Sequence, residues 1–326
     1  MKGIPAPAEL SRVIRDRKHF IILGHTDPDG DCVASQLVTA SFLRRLGKTA
    51  GCFAEKPFSR HEIIPYFGEF STGSPEIIDP DSSAVITLDC STLDRAAGYT
   101  GALAGLPVVM IDHHSSGRPF GNIRYIDPDA PSTTILVYNV MVSLDLRPTP
   151  EEAGLLLFGL CTDTGFFRHV EAGSDDTLRA AAVFTDLGAS PKDIYNRIYG
   201  GRSLDTRLLL GKLLSRAEPF LDGAGVFTCM TREDLDTHGE EAKDSDTLYA
   251  LLQGTTKTVI VLLVREETDG TQTVGIRTNH TVDAGELAQK FGGGGHERAA
   301  GFSSSLGIPE LREMLIAGIA EVYGKP

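Results

Sequence analysis

The stretch FIILGHTDPDGD at residues 20–31 decides the fold of this chain. Its apolar start predicts a short buried strand over 20–23 that ends in Gly-His. A helix is predicted next over 31–46, where apolar side chains recur at helical spacing. A strand that leads through a polar turn into a helix is typical of parallel α/β sheets. Ligands bind beyond the carboxyl ends of such strands, so this turn marks a candidate site.

Two further strands, each followed by an acidic residue, continue the pattern. Apolar runs at 84–88 and 108–111 end at Asp89 and Asp112. Strands that alternate with helices predict a mostly parallel sheet with helices on both faces. The polar residues cluster just after the strands, at the carboxyl edge where ligands sit in open sheets.

The remaining helices follow from apolar periodicity and capping signals. Residues 132–161 predict two helices broken at 147–150, with Thr149 capping the second helix. Residues 174–187 and 191–216 are also helical in pattern. Within the last segment, a stripe of leucines is expected to pack, namely Leu204, Leu208, Leu209 and Leu213.

The second half predicts a smaller α/β unit. Its strands are expected at 225–230, 257–264 and 273–278, with a hairpin turn at 268–270 and helices at 283–290 and about 309–322. We therefore predict an α/β fold with three parts: a first domain over 1–190 with a mostly parallel sheet flanked by helices, a helical linker over 191–222, and a smaller α/β domain over 223–326.

Composition excludes several classes of protein. The 326 residues suffice for roughly two domains. With 41% hydrophobic and 23% charged residues, the chain is expected to be globular rather than disordered. Its net charge of −13 argues against binding to long duplex nucleic acid. No run of about 18 apolar residues and no basic-then-apolar leader occurs, so neither a membrane span nor secretion is expected.

Cysteine usage indicates the redox compartment. The five cysteines are widely spaced and form no CxxC pair, which predicts reduced, mostly buried thiols in a cytoplasmic protein and excludes a cysteine-built zinc site.

Four groups of polar residues carry candidate chemistry. The segment HTDPDGD at 25–31 holds one imidazole and three carboxylates, which repel one another unless divalent cations lie among them. Asp112-His113-His114 directly follows a strand. Adjacent imidazoles diverge, so one of the two could bind metal while the other faces substrate. The carboxylate of Asp112 could orient one of these rings. Asp89 and Asp163 complete the set. Taken singly, each group also fits a solvated turn, a strand end or a helix terminus.

Together the four groups predict a metal centre. Aspartate and histidine ligands without a thiolate suit Mn²⁺, with Mg²⁺ and Co²⁺ as alternatives. Six or seven such ligands exceed the need of one ion, so two divalent cations are expected. The chemistry that a two-metal site favours is hydrolysis at phosphorus.

In these motifs the chain resembles the DHH phosphoesterases. HTDPDGD, the lone Asp89, IDHH at 111–114 and TDTG at 162–165 stand in the order of that family. The C-terminal part is similar to its DHHA1 partner domain through GIRT at 275–278 and GGGGHERAAG at 292–301. IDPDAPST at 126–133 and residues 202–214 resemble the branch of nanoRNases and pAp phosphatases, which cleave very short RNA and dephosphorylate phosphoadenosine phosphate.

The resemblance implies two metal sites that share Asp89. One ion would be held by His25, Asp29 and Asp89. The other would be held by Asp31, Asp89, His113 and Asp163. His114 would contact the scissile phosphate, with Asp27 and Asp112 as supporting residues.

The second domain carries the candidate substrate residues. The glycine run permits close backbone approach and a nest of N–H groups for an anion, formed by Gly293, Gly294 and Gly295 with His296 beside it. A dinucleotide fingerprint is a weak competitor, because a helix and not a strand precedes the run. Arg277 could clamp a terminal phosphate or form a surface salt bridge. Gly275 stands where the family more often has Ser, which removes one hydrogen-bonding side chain.

The metal centre predicts a hydrolase that acts at phosphorus, and the resemblance implies that its substrates are short RNA and nucleotides. No membrane or long-duplex partner is expected. Phosphodiesterases of linear or cyclic dinucleotides and hydrolases of polyphosphate or pyrophosphate are alternatives. An inactive nucleotide sensor is the alternative of a different class, and the intact ligand set argues against it. Substrate preference, cleavage polarity and a homodimer are left open. Five histidines lack a motif and are expected to be surface or structural residues: His19, His61, His169, His238 and His280.

Overall fold

The computed structural model describes residues 4–96, 105–279 and 281–323, so His280 lies outside the described residues. The chain folds as two compact units that divide between Gly200 and Gly201. The segment expected as a linker is therefore shared, with its first helix in the first unit and its second helix in the second. Among the described residues, no helix is long and apolar enough to cross a membrane.

The first unit is built on a parallel sheet, as predicted. Its elements are α1 (Ala8–Asp16), β1 (His19–Leu23), α2 (Gly30–Arg45), β2 (Thr49–Phe53), β3 (Phe70–Ser71), β4 (Ser83–Leu88), β5 (Val108–Asp112), β6 (Ile123–Ile126), α3 (Thr133–Ser143), α4 (Pro150–Asp163), α5 (Asp175–Asp186) and α6 (Pro191–Tyr199). Within the described residues the strands pair in the order β3-β2-β1-β4-β5-β6, each pair parallel. The cap of α4 is confirmed, because Thr149 and Glu152 form a reciprocal capping box.

The main core of the first unit lies on one face of this sheet. All six described helices contribute to it, together with strand residues such as Ile22, Ile86 and Val109. The opposite face carries a smaller cluster in which Leu106 covers Ile21 and Val85. In the described part of this unit, the six helices pack on the first face and loop residues such as Leu106 lie on the second.

The second unit has a mixed sheet covered on both faces. Its elements are α7 (Leu204–Ser215), β7 (Glu218–Phe220), β8 (Gly225–Met230), α8 (Arg232–His238), α9 (Ser245–Gln253), β9 (Ile260–Glu266), β10 (Gln272–Thr278), α10 (Ala284–Gln289), β11 (Gly294–His296), β12 (Ala299–Ser304) and α11 (Ile308–Tyr323). The described strands pair in the order β11-β12-β10-β9-β8-β7, and of these pairs only β8 with β9 is parallel. The hairpin between β9 and β10 is confirmed.

Each face of this second sheet has its own core. Helices α10 and α11 cover one face, and α7, α8 and α9 cover the other. The leucine stripe expected on α7 is only half right, since Leu204 and Leu208 are exposed. The buried line of α7 instead runs through Thr206, Leu209 and Leu213. At about 100° per residue, positions 204 and 208 lie on the opposite side of the helix from that line.

Candidate metal centre and substrate-binding residues

Three neighbouring strands of the first unit deliver polar side chains to one edge of the sheet. His25 lies two residues after β1, Asp89 directly follows β4, and Asp112 is the last residue of β5. Because β1, β4 and β5 are adjacent and parallel, their carboxyl ends meet. Asp163 joins them as the last residue of α4. The residues predicted from four separate motifs thus come together.

Asp31 is held by the first turn of a helix. Its side chain is fully buried, and its two carboxylate oxygens accept hydrogen bonds from the backbone N–H groups of Thr133 at 2.6 Å and Thr134 at 3.0 Å. A carboxylate is favoured at the N-terminus of α3 by the helix dipole. Gly159 permits this approach, since a β-carbon there would lie 2.8 Å from an Asp31 oxygen. Burial and the nearby charges of Asp163 and Asp89 raise the pKa of Asp31 well above its ordinary value.

Asp89 lies at the centre of the cluster. Its Oδ2 is 3.6 Å from His25 Nε2, and its Oδ1 is 3.7 Å from His113 Nε2 and 3.5 Å from His114 Nδ1. The hydroxyl of Thr133 donates to Oδ1 at 3.0 Å. The residue adopts φ of +55°, a left-handed conformation that aspartate tolerates better than most residues. Burial acts to raise the pKa of Asp89, but the three imidazoles outweigh it and lower the pKa.

The two adjacent imidazoles have different partners, as the sequence predicted. His113 donates from Nδ1 to the carbonyl oxygen of Ala130 at 3.1 Å, and its Nε2 lies 3.0 Å from Asp163 Oδ2. A fixed Nδ1–H leaves the Nε2 lone pair for a ligand. Burial acts to lower the pKa of His113, but Asp163 and Asp31 raise it to about 10. Burial raises the pKa of Asp163 to about 6, against the effect of His113.

His114 is oriented by the carboxylate two residues before it. Asp112 Oδ1 lies 2.7 Å from Nδ1 of the ring and accepts the backbone N–H of His114 at 3.2 Å. This hydrogen bond raises the pKa of His114. The His114 side chain is 37% exposed, whereas that of His113 is 18% exposed. His113 therefore faces the buried carboxylates, and His114 faces solvent more openly.

The donor set fits divalent cations. Three groups of donor atoms, each within 4.8 Å of one another, occur in the described residues: His25 with Cys32 and Asp89, Asp89 with His113 and His114, and Asp31 with His113 and Asp163. His25 Nδ1 is buried without a hydrogen-bond partner among these residues. Several buried carboxylates so close together favour bound cations over an empty cluster.

Three of the predicted acidic residues lie outside these groups: Asp112, which contacts His114, and Asp29 and Asp27. Asp29 caps α2, because its Oδ1 accepts the backbone N–H of Cys32 at 3.0 Å. Its other carboxylate oxygen has no partner within the described chain. Asp27 is exposed and forms an ion pair with Lys56 at 2.6 Å. Asp27 thus has a surface partner of its own.

The candidate substrate residues of the second unit lie on neighbouring strands. Arg277 on β10 is opposite Ala299 on β12, which is opposite His296 on β11. Residues opposite one another in antiparallel strands point to the same face. The guanidinium of Arg277 lies over the Tyr249 ring, 4.6 Å from its centroid. No carboxylate in the described residues pairs with Arg277, so the alternative of a surface salt bridge has no support there.

The glycine run forms an edge strand. Gly294 and Gly295 belong to β11, while the N–H of Gly293 donates to the carbonyl of Ala288 at 2.9 Å. Gly293 is therefore not an open donor for a ligand, contrary to that part of the expected nest. β-Carbons at Gly293 and Gly295 would lie 2.3 Å and 2.5 Å from carbonyl oxygens of β12. Close approach of β11 to β12 is thus one reason for these glycines.

Sequence reasoning missed several neighbours of the site. Thr133, Ala130 and Cys32 contact or adjoin the predicted ligands, yet none stands in the acidic motifs. Ala130 and Thr133 fall in the segment 126–133, which carries part of the family resemblance. That segment was the one feature of the sequence that could have pointed to them. Burial and the nearby Asp89 charge raise the pKa of Cys32 well above its ordinary value, so it is a neutral thiol. Of the histidines without a motif, His238 pairs with Asp205 at 3.1 Å.

Comparisons with known proteins agree with these motifs. The model of the DHH family N-terminal domain matches residues 19–160, and the model of the DHHA1 domain matches residues 225–322. The chain is similar to the bifunctional oligoribonuclease and PAP phosphatase NrnA of Thermus thermophilus, with 31% identity over 302 residues that cover 92% of this chain and 89% of the relative.

Two further similarities span most of the chain. A protein of the same name from Bacillus subtilis is 26% identical over 317 residues, which cover 90% of this chain and 92% of that protein. The crystal structure of an exopolyphosphatase-related protein from Bacteroides fragilis has the same fold, with a TM-score of 0.81, 21% identity and 97% coverage of both chains. The chain belongs to the DHH family and carries a DHHA1 domain in its second unit.

Proposed function

We propose that this chain is a metal-dependent phosphoesterase that hydrolyses short oligoribonucleotides to mononucleotides and dephosphorylates phosphoadenosine phosphate. The observation that carries the proposal is the set of donor groups around Asp89. Support also comes from two relatives that span most of the chain and are named as oligoribonuclease and PAP phosphatase. The intact donor set argues against an inactive nucleotide sensor.

The proposed metal ligands are those that the motifs imply. One ion would be held by His25, Asp29 and Asp89, and the other by Asp31, Asp89, His113 and Asp163. Mn²⁺ is proposed ahead of Mg²⁺ and Co²⁺ because the donors mix imidazole with carboxylate. When bound, such ions activate water and stabilise negative charge on a phosphoryl group.

The residues around the ions have separate proposed tasks. Asp112 accepts the Nδ1 proton of His114 and thereby orients the ring. It also raises the pKa of His114, which favours a ring that donates from Nε2 to the scissile phosphate. Ala130 holds His113 in the tautomer that presents Nε2 to a metal ion. In the second unit, Arg277 binds a terminal phosphate, with Gly294, Gly295 and His296 nearby and Gly293 shaping the strand.

The test is hydrolysis of a substrate panel in the presence of Mn²⁺. The panel contains RNA of two to about ten nucleotides, phosphoadenosine phosphate, linear and cyclic dinucleotides, polyphosphate and pyrophosphate. The RNA is varied in length because each added nucleotide adds one phosphate charge. We expect turnover of the short RNA and of phosphoadenosine phosphate. Turnover of only polyphosphate or cyclic dinucleotides would contradict the proposal, and Asp89→Asn is the matched inactive control.

A cytoplasmic location is proposed on the basis of the cysteines. All five are free, and four are buried. Persistently reduced thiols are usual in the cytosol. Light scattering on the purified protein decides whether it forms the homodimer that the sequence left open.

A further inference from the structure

The hydroxyl group of Tyr249 lies against the bare backbone of Gly275. Tyr249 belongs to α9 and is only 6% exposed. A β-carbon built on Gly275 would lie 2.1 Å from the hydroxyl oxygen, so any side chain at position 275 would displace Tyr249. Gly275 lies in a regular strand and does not adopt a left-handed backbone. Close approach of the tyrosine is therefore what requires glycine there.

The same tyrosine carries the guanidinium of Arg277. The Arg277 Cζ atom lies 4.6 Å from the ring centroid, within the range of a cation–π interaction. Nη1 of Arg277 donates to the carbonyl oxygen of Ile276 at 3.2 Å. Stacking on the ring restricts the orientation of the planar guanidinium, and a fixed plane favours bidentate binding of a phosphate.

The Tyr249 hydroxyl has no hydrogen-bond partner within the described part of the chain. Its oxygen is not among the described atoms that are buried without a partner, so it keeps some contact with solvent and a ligand can reach it. The sheet beside it carries no side chains at three paired positions, because Gly275 lies opposite Gly301, and Gly301 lies opposite Gly294. These three glycines share a face with Arg277 and His296.

We propose that Tyr249 is a substrate-binding residue, whose hydroxyl donates a hydrogen bond to the terminal phosphate held by Arg277 and whose ring fixes the plane of that guanidinium. This inference rests on the proposed function, which assigns Arg277 to a terminal phosphate. Burial raises the pKa of Tyr249 to about 12, so the hydroxyl keeps its proton at neutral pH and acts as a donor.

The first experiment compares Tyr249→Phe with the unaltered protein on diadenylate with and without a 5′-phosphate. Phenylalanine keeps the ring under Arg277 and removes only the hydroxyl. We expect KM for the phosphorylated dinucleotide to rise about tenfold, as for the loss of a hydrogen bond to a charged group, with kcat nearly unchanged. KM for the unphosphorylated dinucleotide should stay the same. Tyr249→Leu removes the ring as well and should raise KM further.

A matched control is available in the first unit. The guanidinium of Arg197 lies over the ring of Tyr66, 4.9 Å from the centroid. Tyr66→Phe therefore removes a hydroxyl from an equivalent arginine–tyrosine pair outside the proposed site. It should leave the preference for a 5′-phosphate unchanged.

A stability cycle tests the contact with Gly275 without using activity. Gly275→Ala should destabilise the protein in the presence of Tyr249, because the new methyl group collides with the hydroxyl. In Tyr249→Phe the nearest ring carbon lies 3.4 Å from the new methyl group, an ordinary contact, so most of the loss in melting temperature should be recovered. Additive effects of the two substitutions would overturn the geometry on which the proposal depends.

The outcomes separate this proposal from the proposed function. If the unaltered protein prefers the phosphorylated dinucleotide and Tyr249→Phe keeps that preference, the role of Tyr249 is wrong and the function stands. If the unaltered protein cleaves both dinucleotides equally, the phosphate clamp and the role of Tyr249 both fall, while phosphoesterase activity stands. If it cleaves neither dinucleotide nor phosphoadenosine phosphate, the proposed function itself is overturned.

Discussion

The two units build their candidate sites in opposite ways. In the first unit, Asp31, Asp89 and His25 are 0%, 2% and 7% exposed, and backbone groups and neighbouring side chains hold them in place. In the second unit, Arg277 is half-buried and His296 is exposed, and the paired positions between and beside them are glycine or alanine: Gly275, Gly294, Ala299 and Gly301. We expect a site built from mutually dependent buried charges to fail when one of them is removed. We expect a site where glycines leave room for a ligand to keep some binding when one contact is lost. Substitutions in the first unit should therefore abolish chemistry, and those in the second should weaken binding.

The largest effect is expected for Asp89→Asn. Asparagine keeps the size and tolerates the positive φ, but it removes the charge that two of the three donor groups share. We expect loss of both metal ions and a fall in kcat of about 10⁴-fold or more, since metal-based charge stabilisation contributes several kcal/mol. Metal content by mass spectrometry and turnover with Mn²⁺ are the measurements. Two bound ions with near-normal turnover would show that Asp89 does not bridge them.

The adjacent histidines should separate metal binding from substrate chemistry. His113→Ala should lose metal, because its Nε2 faces Asp163 and Asp89. His114→Ala should keep both ions and lose kcat by about 10²–10⁴-fold, as expected for a lost proton donor. Metal content and single-turnover rates are measured on both variants. Equal loss of metal from the two would reject this division of tasks.

Arg277→Ala tests the weaker site and should raise KM for short RNA by about 10–100-fold, as for a charged hydrogen bond, with kcat nearly unchanged. The unaltered protein should show its highest kcat/KM on RNA of roughly two to five nucleotides, a range that the resemblance to the nanoRNase branch implies. The net charge of −13 supplies only the direction, because additional phosphates meet an acidic chain. A length series on 5′-labelled RNA measures both. Equal cleavage of a strand of about 24 nucleotides would contradict the expected preference.

Metal binding should become tighter as the pH rises. In the metal-free protein the pKa of His113 is about 10, so the ring holds a proton at neutral pH that a metal ion at Nε2 must displace. The apparent affinity for Mn²⁺ should increase up to about tenfold per pH unit above pH 6. Below pH 6, Asp163 also takes up a proton, because its pKa is about 6. A bound ion must then displace two protons, so the affinity should depend more steeply on pH. Calorimetry in buffers of different ionisation enthalpy counts the released protons, and a pH-independent affinity with no proton release would refute this.

The smallest effect is expected for Asp27→Asn. Asp27 is exposed and pairs with Lys56 at the surface, where an ion pair is worth only about 0–1 kcal/mol. Metal content should be unchanged, and kcat should fall by less than about threefold, consistent with so small an energy. A loss comparable to that of Asp89→Asn would place Asp27 among the metal ligands and not among the supporting residues.

Local patterns predicted six of the twelve described strands, namely β1, β4, β5, β8, β9 and β10. They also predicted the helix cap at Thr149, which depends on neighbours in the chain. They did not predict that Leu204 and Leu208 are exposed, since an apolar pattern does not reveal which face of a helix meets the core. Nor did they predict that Gly293 donates to Ala288 and is closed to a ligand.

The sequence alone determined which residue types carry the chemistry, since carboxylates and imidazoles directly after strands point to metal ions whatever the details of packing. Only the tertiary structure decided their partners. Asp31 meets Thr133 across 102 positions of sequence, and Thr133 in turn binds Asp89. Tyr249 meets Gly275 only because α9 lies on the sheet. Such contacts join segments that are distant in sequence, and their geometry is set by how helices pack on strands, which no local spacing encodes.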